Sequence, residues 1–431
     1  MGQCSLERLR RLLSVWKPSI RSKPAGERMA VMRIGILTTF LKLDPISDSG
    51  IGLLYRALAD ALVEQGHAVH VVHPTTQPAV AAKAHRELAP KWTCDIVPAA
   101  LPRVVRRMAA SGSWQRQALF ERFWAAAATS RALARACAAK DLEIIETHTF
   151  AAPALFFLCR RRRPPVVSRV ATTTSQMLRS SGEYSRAIRL LAWAEIRATR
   201  TSDALLTHSE AHRDQICSLE GYDPRRFGIV PLGIADPGFV AGGPAGPALE
   251  FFFVGRFTSR KGVDILLSAI PKVAAACPEA TFVLAGDQDG GQEWRAFCAS
   301  HSDLVPRRVS APGRIPEGEL DRLYRRCSVF VAPSRYESFG LIYVEAMARG
   351  RPVVGCRTGG VPEVVRDGVT GLLAAPGDPD SLAAAMIRLG TDPLLRDRFS
   401  AAARSDFLER FSAARFARSS AAFYSTVKSH P

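Results

Sequence analysis

Apolar and polar positions change period along the chain in a repeating order. Residues 33–38 form a short apolar run that closes in polar residues, as a buried parallel strand does. After Ser49-Gly50-Ile51-Gly52, the apolar residues Leu54, Leu58, Ala61 and Leu62 recur at helical spacing, Gly66 stops the helix, and 68–72 reads as a second strand. Strand, glycine turn, helix, strand is a βαβ unit. Further strand-like runs at 143–145, 165–170, 204–207 and 228–230, separated by stretches long enough for helices, extend it into a parallel α/β sheet.

A Gly/Pro-dense stretch, 236–247, interrupts the pattern near the middle and reads as a linker between domains. The order then restarts, with strands predicted at 249–254, 280–285, 329–332 and 352–355 and helices at 263–276, 317–326 and 341–349. This organisation divides into a basic N-terminal extension (1–31), a first domain (32–238), a linker (239–247) and a second domain (248–411). A last helix, over 412–431, is marked by Phe416, Phe423 and Tyr424, and its spacing alone does not show where it packs.

Composition narrows the setting. The chain has 431 residues, 47% of them apolar, enough for two domains with sizeable cores. Its nine cysteines are scattered without a Cys-x-x-Cys pair, which suits reduced thiols in cytoplasm. The longest apolar run, 151–158, is far short of the ~18 residues of a membrane span. The first 33 residues lack the long apolar segment of a secretory leader, so a cytoplasmic protein is expected. The net charge of +18 is uneven, since residues 1–240 hold 34 basic against 20 acidic side chains. Within them, 103–140 contains eight basic residues and one acid, interleaved with Trp114, Phe120, Phe123 and Trp124. Such a stretch suits an anionic membrane surface, and therefore peripheral association with the inner face of the plasma membrane. An ordinary helix face in an Arg-rich protein is the other reading. No nucleic-acid-binding motif accompanies it, and no nucleic-acid partner is expected.

In open parallel sheets ligands sit beyond the carboxyl ends of the strands. Ser49 and Gly50 stand in such a place, where backbone N–H groups can approach an anion with a helix dipole behind them. A merely structural loop glycine reads the same way. In the second half the equivalent position is Gly255-Arg256-Phe257-Thr258-Ser259-Arg260-Lys261-Gly262. Arg256 and Lys261 bracket a short loop, and two cations there suit a diphosphate that gains charge as it leaves. A solvated basic loop is the alternative. The densest cluster runs from Pro333-Ser334-Arg335-Tyr336-Glu337 through Phe339-Gly340-Leu341 to Glu345, then Gly359-Gly360-Val361-Pro362-Glu363. Glu345 lies within the helix that Phe339, Gly340 and Leu341 open. A carboxylate there can accept hydrogen bonds from ribose hydroxyls while the first N–H groups meet phosphate. Glu337 precedes the helix, closer to a reacting group. For either acid alone, a surface carboxylate is the plain alternative.

Together these motifs resemble the retaining nucleotide-sugar glycosyltransferases of family 4, which have the GT-B fold, over about residues 32–430. Glu337 to Glu345 is similar to that family's paired-glutamate signature. Gly255-Arg256 and Lys261-Gly262 are similar to its diphosphate-binding pairs, and Ser49–Gly52 to its first glycine loop, with serine where a glycine would stand first. His148 falls where members often carry a histidine near the donor sugar. Many also have one within 169–174, and this chain has none there.

The resemblance implies an α/β fold of two Rossmann-like domains facing each other across a cleft, with the C-terminal helix returning to the first domain. It implies donor binding by Ser49, Gly50, Gly255, Arg256, Lys261, Glu337, Phe339, Gly340, Leu341 and Glu345, with Glu337, His148, Arg256 and Lys261 nearest the chemistry. Asp287-Gln288-Asp289 matches a metal-binding Asp-x-Asp pattern but lies where the family has a glycine-rich turn, so no metal and no cofactor are expected. The implied reaction moves a hexosyl unit from a UDP- or GDP-linked sugar to a glycan or lipid-linked acceptor, in cell-surface polysaccharide or glycolipid assembly. A non-catalytic basic binding protein of the same fold is the competing expectation.

Overall fold

The computed structural model describes residues 30–41, 50–88, 90–102, 114–176, 185–239, 249–287 and 291–429. Ser49, most of the 1–31 extension and most of the 239–247 linker therefore lie outside the described residues, as do 103–113 of the basic stretch and Gln288-Asp289.

The chain divides into two compact units, residues 1–231 with 416–431, and residues 232–415. In the first, the order is β1 (Arg33–Leu37), α1 (Gly50–Glu64), β2 (Ala68–Thr75), α2 (Pro78–Leu88), β3 (Thr93–Pro98), α3 (Trp114–Lys140), β4 (Ile144–His148), α4 (Leu155–Leu158), β5 (Val166–Arg169), α5 (Arg186–Thr201), β6 (Ala204–Thr207), α6 (Glu210–Glu220) and β7 (Phe227–Ile229). All seven strands are parallel, in the spatial order β3-β2-β1-β4-β5-β6-β7. Helices cover both faces of such a sheet, which is why its strands read as apolar runs rather than alternations. Leu37, Val72, Leu133, Ile145, Phe157 and Val166 share one core. Helix α5 begins at Ser185, whose hydroxyl accepts from the Ile188 N–H, as an N-cap does.

The second unit runs β8 (Glu250–Val254), α7 (Val263–Ala276), β9 (Thr281–Ala285), α8 (Gln292–Ser300), β10 (Val309–Gly313), α9 (Glu317–Arg326), β11 (Val329–Ala332), α10 (Leu341–Ala348), β12 (Val353–Cys356), α11 (Val361–Val364), β13 (Gly371–Ala374), α12 (Pro379–Thr391) and α13 (Pro393–Asp406). Its six parallel strands lie in the order β10-β9-β8-β11-β12-β13. Phe252 and Phe330 on adjacent strands pack edge-on at 5.9 Å and share Tyr324 as a neighbour.

A last helix, α14 (Ala413–Ser429), settles the packing question that spacing left open, since residues 416–431 belong to the first unit. Its Ser420 hydroxyl accepts from Arg169 at 3.1 Å, and its Phe416 ring lies 4.9 Å under the same guanidinium. Arg169 in turn forms a two-pronged, fully buried pair with Glu146, at 2.7 and 3.1 Å.

The strand predicted at 143–145 is in fact β4, running on to His148. Glu146 and Thr147 broke the apolar pattern, yet both are buried, the glutamate because β5 supplies its guanidinium partner. The contact division at 231/232 also precedes the 238 read from sequence, because Arg404 pairs with Asp236 and Arg325 donates to the Pro237 and Gly238 carbonyls, fastening 236–238 to the second unit.

Candidate active site

Each sheet reverses its winding once, at β1/β4 in the first unit and at β8/β11 in the second, and such switch points open a crevice at the strands' carboxyl ends. The predicted residues cluster at both.

In the second unit β8 ends and Gly255-Arg256 follows, while β11 ends and Pro333-Ser334 follow. Gly262 joins the two loops. Its φ is +71°, and a Cβ there would lie 1.9 Å from the Pro333 carbonyl oxygen, so only glycine permits the approach. Arg335 reinforces it with two hydrogen bonds to Asp264, at 2.7 and 2.6 Å, and its own N–H donates to the Arg260 carbonyl. The Arg335 guanidinium holds the Asp264 carboxyl below the usual carboxylate range. The result places the Lys261 ammonium 2.5 Å from Glu337 Oε1, which also accepts from Ser334 Oγ at 3.0 Å. The Glu337 peptide is gripped from the other side, as its carbonyl accepts from the Gly360 N–H at 2.9 Å and Gly359 could not carry a Cβ without meeting that same oxygen at 2.1 Å.

Glu345 is the next carboxylate along. Tyr324 donates its hydroxyl to Glu345 Oε2 at 2.8 Å, and burial raises the Glu345 carboxyl above its ordinary value despite this bond and the nearby Arg349 and Lys261 charges. Lys261 thus stands within electrostatic reach of both glutamates that the sequence singled out. Helix α10, which carries Glu345, starts at Gly340 with no side chain capping it, so Phe339, Gly340 and Leu341 lead into an N-terminus suited to an anion. Arg256 is exposed and has no side-chain partner among the described residues, the kind of cation a ligand can recruit without breaking a pair. Asp287, the described part of the Asp-x-Asp pattern, is used through its backbone, accepting from the Phe257 N–H at 2.8 Å. Among the described residues no group of three His, Cys, Asp or Glu side chains is placed to hold a metal ion.

In the first unit the crevice lies between Thr38-Thr39 after β1 and His148 at the end of β4. The Thr39 N–H donates to His148 Nε2 at 3.2 Å, so Nε2 is an acceptor and the neutral imidazole carries its proton on Nδ1. Burial lowers the His148 pKa to about 4, with the Phe150 backbone pulling modestly the other way. The rings of Phe40 and Tyr55 flank it at 5.5 and 6.0 Å. Only 2% of His148 is exposed, so its ring is a buried group at the end of β4. Just beyond it, Ala151 and Ala152 have positive φ, a conformation rare for residues with a Cβ, and the Glu195 carboxylate holds the turn by accepting from the Ala151 N–H and from Thr174. Gly50 is the first residue of α1.

Sequence reading missed Thr39, Tyr324 and Glu195. Glu195 had a signal, a single acid in the Arg-rich helix 186–201; Tyr324 and Thr39 had none, because their partners are remote in the chain.

Comparison with known proteins bears on the same two halves. Residues 49–236 match the model of the glycosyltransferase family 4 domain, and residues 242–406 that of the glycosyl transferases group 1. A glycogen synthase of Mycobacterium tuberculosis is 34% identical over 232 residues, covering 53% of this chain and 55% of that protein. The chain spans about half the length of the curated relatives it matches. Among solved structures, sucrose-phosphate synthase from Thermosynechococcus elongatus superposes with a TM-score of 0.68 at 20% identity, over 93% of this chain and all of that one. Anabaena Alr3699/HepE in complex with UDP-glucose does so with 0.65 at 18%, over 92% of this chain and all of that one. These likenesses show the GT-B fold of two parallel-sheet α/β units.

Proposed function

The chain belongs to the family 4-like glycosyltransferases, and from that premise we propose that it transfers a hexosyl unit from a nucleotide sugar to a glycan or lipid-linked acceptor, with retention of configuration. The observation that carries this reading is the placement of Lys261, Glu337 and Glu345 around one switch point, beside the uncapped start of α10 and the unpaired Arg256. The UDP-glucose bound by the Anabaena neighbour supports a uridine donor as the first to try, with GDP-sugars next.

In this mechanism the second unit holds the donor. Lys261 and Arg256 take the diphosphate, whose negative charge grows as the sugar departs, and the N–H groups from Phe339 to Leu341 share it. These cations supply the charge that a metal supplies in other transferases. Glu345 accepts from the ribose hydroxyls and Glu337 from those of the sugar. The bond from the anomeric carbon to the diphosphate oxygen breaks while the acceptor oxygen bonds to the same face, its proton passing to the leaving phosphate. His148, neutral at pH 7, acts from within the first unit by fixing the Thr39 loop at the carboxyl end of its sheet. The first unit, which carries most of the positive charge, suits an acceptor bearing phosphate near a membrane, as in cell-surface polysaccharide or glycolipid assembly.

A donor screen tests the reading. The purified chain, offered UDP- and GDP-hexoses, should hydrolyse one of them slowly and show a nucleotide-dependent rise in Tm, with both effects lost in Glu345→Ala. Silence toward every donor would overturn it in favour of a binding protein without catalysis.

A further inference from the structure

The sequence directs attention to 103–140 as a basic aromatic surface, but the structure turns part of that stretch inward. Arg122 is largely buried, its guanidinium 5.4 Å from the Phe150 ring and facing Glu195, and burial lowers its pKa. The stronger surface lies on α5. Arg186, Arg189, Leu190, Trp193, Arg197 and Arg200 are all exposed, and at ~100° per residue they fall within an arc of roughly 100°. Trp193 is 56% exposed and Leu190 44%. The opposite side, Leu191, Ala194 and Ala198 with the helix's single acid Glu195, is buried. A stripe of four arginines therefore carries an exposed indole between them and an exposed leucine at its edge, with no carboxylate of its own helix facing out.

The neighbouring helices continue it. Helices α3, α4 and α5 pack on one another. On α3, Phe120 and Trp124 are exposed one turn apart, and Arg131 and Arg135 follow on the same stripe. Phe156 of α4 is exposed, with its ring 6.2 Å from Phe123. Folded domains leave few large apolar side chains grouped in water, and Trp, Phe and Leu rimmed by arginine is the composition of a membrane-interface helix. The inner sides of α3 and α5 meet the loops that follow β4 and β5 through Arg122 and Glu195, so the patch adjoins the carboxyl-end edge of the first sheet.

We propose that the exposed faces of α5 and α3 seat the first unit on an anionic phospholipid surface, with the arginines against headgroup phosphates and Leu190, Trp193, Phe120 and Trp124 in the interfacial layer. Nucleic acid would satisfy the arginines equally, but Leu190, exposed at the edge of the stripe, has no ring face on which a base could stack. The proposal deepens the glycosyltransferase reading by naming where a lipid-linked acceptor is met. Its test needs no turnover, so the two can fail separately.

The full chain is centrifuged with vesicles of phosphatidylcholine alone and of phosphatidylcholine mixed with phosphatidylglycerol, at low and raised salt. Binding is expected on the anionic vesicles, falling with salt. The double variant Leu190→Ser/Trp193→Ser should lower the partition coefficient about tenfold or more. The triple variant Arg186→Gln/Arg189→Gln/Arg197→Gln should lower it by about fivefold per charge removed. All five parent side chains are exposed, so the Tm of both variants should match the wild type. No wild-type binding to anionic vesicles at low salt would overturn the proposal. So would unchanged partitioning in the double variant, or single-stranded RNA bound as tightly as the vesicles are.

Discussion

Two cations of the same loop have different surroundings, and their removal should separate binding from stability. Arg256 is exposed and unpaired among the described residues, whereas Lys261 neutralises Glu337, which is only 8% exposed. Arg256→Ala should lower kcat/KM about thirtyfold, the loss of one charge-assisted hydrogen bond of about 2 kcal/mol, and leave Tm unchanged. Lys261→Ala should lower kcat/KM at least as much and also destabilise the second unit by about 1–3 kcal/mol, because it leaves the partly buried Glu337 carboxylate without its ammonium partner. Equal Tm values in the two variants would refute the distinction. The buried histidines of the first unit predict a pH dependence. His148 and His212 both have pKa values lowered to about 4 by burial. Between the ordinary value near 6.5 and about 4, the unfolded chain takes up a proton that the folded chain refuses. Stability is therefore full above pH 6.5 and declines as pH falls, by about 2 kcal/mol for each histidine at pH 5. Urea unfolding at pH 7 and at pH 5 should show that loss for the first unit, and His212→Gln should remove about 2 kcal/mol of it, the rest coming from His148 and from His67 and His70, whose pKa values burial also lowers. A flat profile over this range would mean the imidazoles are not held neutral.

At the scale of elements, the pair Glu146–Arg169 ties β4, β5 and α14 into one block, with Tyr424 donating its hydroxyl to Glu146. A buried pair broken on one side leaves an uncompensated charge. Arg169→Met should cost about 3–5 kcal/mol, and Arg169→Met/Glu146→Leu should regain much of it, since well-packed apolar replacements can equal such pairs. If the double variant is no better than the single one, the pair does more than compensate its own burial. The same pair marks what sequence could show of the fold. Where apolar period was unbroken, as at 263–276, 317–326 and 329–332, the elements lie where the pattern put them. Where a charged residue sat inside a strand, as Glu146 does, the pattern ended early because its partner is on another strand. The second-unit site was legible because its glycines, cations and glutamates are close in sequence and their spacing carries the geometry. The Lys261 to Glu337 contact was not, because it depends on a backbone approach at Gly262 between loops more than seventy residues apart.

For the whole molecule, the proposed roles of the two units follow the division of charge between them. Residues 1–240 hold 34 of the 58 basic side chains and only half of the 40 acids, while Arg256, Lys261, Glu337 and Glu345 lie within 232–415. Among the described residues no helix is long and apolar enough to cross a membrane. If the donor is held by one unit and the membrane by the other, each can be removed without the other. Lys261→Ala should lose nucleotide binding and keep full partitioning on anionic vesicles. Leu190→Ser/Trp193→Ser should keep nucleotide affinity and the slow hydrolysis of donor by water, yet transfer to an acceptor embedded in vesicles about tenfold more slowly. With a short, water-soluble acceptor the double variant should match the wild type, because neither side chain touches the reacting groups. A loss of the same size on soluble and embedded acceptors would place Leu190 and Trp193 in acceptor binding itself and remove the membrane from the explanation.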